Sequence, residues 1–119
     1  MLILICGDRN WTDAGAIREQ LLRFNPADDV IMHGSARGAD TIAGTEAARI
    51  GFKVIAVPAK WNKYGRAAGP IRNVEMLGHK PGLVMAFHPD LNKSKGTAHM
   101  VKIARAGGVT VEVHSGVGE

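Results

Sequence analysis

Four short glycine-flanked segments hold most of the side chains in this sequence that are able to do chemistry. Gly34-Ser35-Ala36-Arg37-Gly38-Ala39-Asp40 follows an apolar run and opens a helical pattern. Glycine in such a turn lets backbone N–H groups approach a ligand closely, and the free N–H groups of a first helical turn favour an anion. Ser35 adds a hydroxyl there, and Arg37 adds a fork of donors for phosphate oxygens. Lys95-Gly96-Thr97 opens a second helix in the same way, and Gly69-Pro70-Ile71-Arg72-Asn73 places Arg72 and Asn73 in the first turn of a third. Gly7-Asp8-Arg9-Asn10-Trp11 follows the first apolar run. A glycine pair can also be a tight turn without a ligand, but three converging helix starts exceed what turns require. No cofactor motif is present: the Gly34 segment lacks both the Gly-Lys-Ser/Thr ending of a Walker loop and the three-glycine dinucleotide fingerprint.

The acid–base candidates are Asp8 and Asp40, the two carboxylates beside these turns, although Asp40 is equally able to pair with Arg37 or to tie down its own helix. Trp11, Trp61 and Tyr64 fall in the same set of loops and are candidates for stacking on a base or forming a lid. The five histidines, His33, His79, His88, His99 and His114, show no metal-ligand spacing, so no metal site is expected. The single cysteine, Cys6, lies in an apolar run and reads as a buried thiol in a reducing, cytoplasmic setting. No stretch approaches the length of a membrane span, and the first residues lack the basic leader of a signal peptide.

These residues need elements to position them. Leu2 to Cys6, Val30 to His33, Val54 to Val57 and Leu83 to Phe87 are continuous apolar runs that read as strands buried on both faces, and Val109 to Val113 alternates like an edge strand. Helical spacing begins after Thr12, a candidate N-cap, and runs through Ala14, Ile17, Leu21 and Phe24. Asp40 to Ile50, a segment from Gly69-Pro70 to Gly78, and Thr97 to Ala106 supply three more helices. Strict alternation of strand and helix implies right-handed crossovers. The expectation for residues 1–119 is a single α/β domain, a Rossmann-like three-layer sandwich with a five-stranded, mainly parallel sheet of order 3-2-1-4-5. Ligands of such sheets bind beyond the carboxyl ends of the strands, where the winding reverses.

Charge follows the same geography. Of the chain's net +4, the segments expected at that carboxyl rim hold eight basic and three acidic residues, +5, and the remainder is −1. Six of the 15 glycines, Gly7, Gly34, Gly38, Gly65, Gly69 and Gly96, fall in the same rim.

The segments Ile5-Cys-Gly-Asp-Arg-Asn-Trp11, His33 to Asp40, Pro58-Ala-Lys-Trp61, Gly65-Arg-Ala-Ala-Gly-Pro-Ile-Arg-Asn73 and Lys95-Gly-Thr-Ala-His-Met100 resemble the YspA-type, cpYpsA-related branch of the SLOG superfamily, over essentially the whole chain. The resemblance implies a Rossmann-like fold and a nucleotide or nucleotide-derived ligand. Relatives include cytokinin-activating phosphoribohydrolases, which release a base from a nucleoside monophosphate, and DNA-processing proteins. In the phosphoribohydrolases a Pro-Gly-Gly-X-Gly-Thr-X-X-Glu motif holds phosphate and ends in a catalytic glutamate. The matching position here is Met100, and a thioether is no acid or base. The resemblance also implies a homo-oligomer.

Three functions follow. The first is a sensor, carrier or sequestering protein for a nucleotide or phosphorylated nucleoside derivative. It would be bound by Gly7, Arg9, Gly34, Ser35, Arg37, Gly38, Arg72, Asn73, Gly96 and Thr97. The second is a hydrolase or transferase at an N-glycosidic or phosphate bond, which needs a carboxylate at Asp8 or Asp40. Single-stranded DNA binding ranks last, because the cations gather at one rim rather than along a stripe.

Overall fold

The computed structural model describes residues 1–116. Five parallel strands, β1 (Leu2–Gly7), β2 (Val30–His33), β3 (Lys53–Ala56), β4 (Leu83–Phe87) and β5 (Thr110–His114), form one sheet in the order β3-β2-β1-β4-β5. The helices between them are α1 (Ala14–Leu21), α2 (Ala39–Ile50), the single turn α3 (Trp61–Tyr64), α4 (Ala68–Gly78) and α5 (Gly96–Ala106). This is the Rossmann-like α/β architecture and strand order expected from the alternating pattern.

Alternate side chains of the strands feed two cores. Ile3, Ile5, Ile31, Met85 and Phe87 pack on one face with Ile17 and Leu21 of α1 and with Ala39, Ala43 and Ala47 of α2. Leu4, Cys6, Met32, Val84 and Ala86 pack on the other face with Met76 of α4 and Met100, Val101 and Ala104 of α5. The central strands therefore read as unbroken apolar runs because both faces are covered. The alanine stripe of α2 brings that helix close to the sheet. A Cβ placed on Gly7 would lie 2.7 Å from the Ala39 Cβ, so the start of α2 rests directly on the end of β1.

Several local expectations change. The four-residue strand β3 is half-exposed, not buried on both faces, since the observed order makes it an edge. Asp13 rather than Thr12 caps α1, its Oδ1 accepting the Ala16 N–H at 3.1 Å. The α-helix stops at Leu21 and the chain tightens into a 3₁₀-type turn, with Arg23 and Phe24 donating to the carbonyls three residues back. The third long helix starts at Ala68, before Pro70, and is preceded by α3 and a 3₁₀ turn over Gly65–Ala67. Among the described residues no helix is long and apolar enough to cross a membrane.

Gly38 is where the backbone constraint is sharpest. It sits at φ 80° before α2, and a Cβ there would meet the Arg9 carbonyl carbon at 2.5 Å. Gly65 also has positive φ, 56°, but nothing lies within 4 Å of its hypothetical Cβ. Gly38→Ala should therefore lower unfolding free energy by about 2 kcal/mol or more, and Gly65→Ala by about 1 kcal/mol or less, in urea titrations. Equal losses would show that the approach of the Gly38 turn to the β1 loop carries no stability.

Candidate functional site

The sheet reverses its winding between β1 and β4. The loop after β1 leads to α1 on one face and the loop after β4 leads to α5 on the other, which opens a crevice between them. A cavity of about 410 Å³ occupies it. The β1 end supplies Gly7, Asp8, Arg9 and Asn10, the α2 end Ala36, Arg37 and Asp40, α4 Arg72 and Asn73, and the β4–α5 connection His88 and Lys93 to Thr97. A second lobe of about 330 Å³ shares Arg9, Ala36, Arg37 and Arg72 and adds Gly34, Ser35, Pro58, Ala59 and Trp61. Five cations and two carboxylates thus face the first lobe.

The α2 end is built around Asp40. Its carboxylate Oδ2 accepts the N–H of Gly34 at 2.9 Å and of Ala36 at 3.4 Å. The Ala39 N–H is spent on the Asp8 carbonyl at 3.1 Å. The Gly34 and Ala36 N–H groups are thus spent on an internal carboxylate. Arg72 holds the same loop from the other side, donating from Nη1 to the Gly34 carbonyl and from Nε to Asn73 Oδ1 at 3.1 Å. A Cβ on Gly34 would sit 2.7 Å from the Arg72 guanidinium carbon, so a side chain there would push the end of Arg72 aside. Ser35 adopts φ 62°, an uncommon left-handed conformation for a residue with a side chain, and its N–H donates to His33 Nδ1 at 3.0 Å.

Asp40 is only 4% exposed. Burial pushes its carboxyl up to about 6, against the opposing pull of the Gly34 N–H, the Arg72 charge, the Ala36 N–H and the Arg9 charge. Burial also draws the Arg72 guanidinium below the usual range, with Asp40 opposing. Burial raises the Cys6 thiol, which stays protonated beneath the cavity.

The α5 end differs. Ser94 Oγ caps the helix, accepting the N–H of Thr97 at 3.0 Å and of Ala98 at 3.3 Å. The Lys95 and Gly96 N–H groups have no acceptor among the described residues. Thr97 is 7% exposed and lines the cavity, and its hydroxyl has no protein partner. Asn73 braces this end, donating from Nδ2 to the Gly96 carbonyl at 3.3 Å and to His99 Nδ1 at 3.1 Å. His88 accepts the Asp90 N–H on Nδ1 at 3.0 Å, which leaves its Nε2 to carry the proton of a neutral ring.

Most of the residues singled out in the sequence meet here. Gly7, Asp8, Arg9, Arg37, Asp40, Arg72, Asn73, Gly96 and Thr97 line the first lobe, and Gly34, Ser35 and Trp61 line the second. Gly38 shapes the turn without lining either. Trp11 is corrected as a stacking residue: it is 8% exposed, packs edge-on against Phe87 at 5.6 Å and donates from Nε1 to the Asp13 carbonyl at 2.8 Å. Tyr64 is exposed on the flank beyond Arg72, and Trp61 is exposed with the Arg9 guanidinium 5.9 Å above its ring. Met100 is wholly buried in the core and touches neither lobe. Cys6, Asn10, Ala36, Met76, His88, Lys93, Ser94 and Lys95 complete the lining of the first lobe. A serine two residues before Gly96 was a readable cap signal, whereas His88 and Asn10 depend on which loops meet at the reversal point. Among the described residues no group of three or more His, Cys, Asp or Glu side chains could hold a metal ion.

The fold and a cation-lined cavity at the reversal point define a Rossmann-like domain of the carboxyl-edge ligand-site type. The model of the YspA, cpYpsA-related SLOG family matches residues 1–64. The chain is also 36% identical, over 117 residues and 92% of each chain, to the Gene 61 protein of Mycobacterium phage D29. It belongs to the YspA, cpYpsA-related SLOG family. No solved structure matches it.

The buried carboxyl makes a stability prediction. Asp40 titrates at about 6 when folded and near 3.9 when unfolded. Folding therefore favours the protonated form: the contribution is full below pH 4 and is lost as pH rises through 6. The charged form costs on the order of 2–3 kcal/mol above that window. Asp40→Asn should stabilise the fold at pH 8, with the advantage shrinking toward zero by pH 4 in urea titrations. A difference independent of pH would contradict the raised carboxyl.

Proposed function

We propose that the cavity binds a nucleotide or another phosphorylated nucleoside derivative. The observation that supports this is the meeting of Arg9, Arg37, Arg72, Lys93 and Lys95 with a helix start whose first N–H groups and Thr97 hydroxyl lack protein partners. The phosphate belongs at α5, where the helix dipole, Lys93 and Lys95 favour an anion. The sugar then lies toward Asp40, and the base reaches the second lobe, where Trp61 offers an exposed ring. Binding without turnover makes the protein a sensor, carrier or sequestering protein, and it fits the wholly buried Met100.

Turnover is the second reading, favoured by Asp40, a carboxyl close to neutrality at the cavity wall. It predicts free base or ribose phosphate on incubation with nucleoside monophosphates, and loss of that product in Asp40→Asn.

Calorimetry with the four common nucleoside 5′-monophosphates tests binding. At least one should bind with micromolar affinity. Arg37 is exposed and contacts only Asn10 Oδ1, at 3.4 Å, so Arg37→Ala should leave folding intact. It should weaken binding about tenfold, the worth of one charge-assisted hydrogen bond. Absence of binding across the panel, or full affinity in Arg37→Ala together with Thr97→Val, would remove this reading.

A further inference from the structure

Two ends of one cavity differ in what they have left to offer. At α5 the free groups are donors: the N–H of Lys95 and Gly96, the Thr97 hydroxyl and two lysine ammoniums. At α2 the turn's Gly34 and Ala36 N–H groups are already taken, because both are given to one oxygen of Asp40, which leaves the Arg37 side chain as the donor at that end. The other oxygen, Oδ1, has no partner among the described residues, and the residue lines the cavity. No buried side-chain oxygen is left unsatisfied among the described residues, so Oδ1 is open to the cavity, an acceptor that a bound ligand can reach.

The consequence concerns selectivity, and it rests on the binding reading above. We propose that Asp40 is a specificity-determining residue that fills the anion position at the start of α2 and presents Oδ1 to a hydroxyl-bearing sugar. The cavity then takes ligands with one phosphate at the α5 end and a free diol in the middle. A second phosphate on the sugar brings like charge against the carboxylate in a poorly solvated place, which is repulsive. A sugar without hydroxyls leaves Oδ1 desolvated and unpaired, which also weakens binding.

Arg72 does not undo this asymmetry. Its Nη1 and Nε are committed to the Gly34 carbonyl and to Asn73, so it steadies the loop while lining both lobes. Asp8, the other carboxylate of the lining, uses Oδ1 to accept the Asn10 N–H at 2.9 Å. Asp40 is thus the carboxylate held nine-tenths buried at the wall.

The test compares adenosine, guanosine, cytidine and uridine 5′-monophosphates with their 2′,3′-dideoxy and 3′,5′-bisphosphate counterparts, by calorimetry on wild type and Asp40→Asn. The amide oxygen can still accept from Gly34 and Ala36, while its NH₂ replaces the free acceptor with a donor. Wild type should prefer the 5′-monophosphate about tenfold over each counterpart. In Asp40→Asn the preference over both counterparts should fall below about twofold, with affinity for the monophosphate lowered toward that of the dideoxy compound. Equal wild-type affinity for monophosphate and bisphosphate overturns the inference and leaves the binding reading standing, and needs no variant. So does an unchanged preference in Asp40→Asn. No binding of any of these compounds overturns both.

Discussion

The carboxylate of Asp40 receiving the N–H groups of Gly34 and Ala36 is the contact on which the rest of the site depends. It fixes the turn between β2 and α2, and that turn lies against the β1 loop through Gly38 and the Ala39 N–H. Arg72 grips the Gly34 carbonyl from α4, so one residue is held from both sides of the sheet. Each of these bonds removes a group from what the cavity can offer. The backbone donors left over lie at α5, with the Arg9 and Arg37 side chains across the cavity from them.

The same contact explains why a domain of this size tolerates a costly group in its interior. A buried carboxylate without donors is displaced toward its protonated form. Here two N–H groups and the charges of Arg72 and Arg9 oppose that displacement without cancelling it, and the carboxyl settles at about 6. A fold optimised for stability alone would carry an amide or an apolar side chain at this position. A charged group kept at such a cost, with one oxygen free, is the kind of exception that binding sites contain.

Much of the architecture was legible in the residues. Runs such as Leu2–Cys6 and Leu83–Phe87 have no polar interruption because helices cover both faces, and their alternation with helical spacing leaves few topologies. The order then placed the glycine turns and the cations at one edge. β3 was misread because an apolar run of four residues looks alike at the centre and at the edge of a sheet. Trp11 was misread because its ring turns inward onto Phe87, a long-range contact with no local signature. The role of Asp40 was open between a helix tie and a ligand contact. Only the geometry shows that Oδ2 serves the loop while Oδ1 remains without a partner. Lys93 and Lys95 count toward the basic rim in the sequence, but their place beside Arg9 follows from the meeting of loops after β1 and β4.

The most direct measurement is a crystal structure with a nucleoside 5′-monophosphate bound. The account predicts the phosphate on the N–H groups of Lys95 and Gly96 and on the Thr97 hydroxyl, a sugar hydroxyl on Asp40 Oδ1, and the Gly34 and Ala36 N–H groups still on Oδ2. A phosphate seated on the Gly34 to Gly38 turn, with the Asp40 carboxylate displaced from it, would contradict the account.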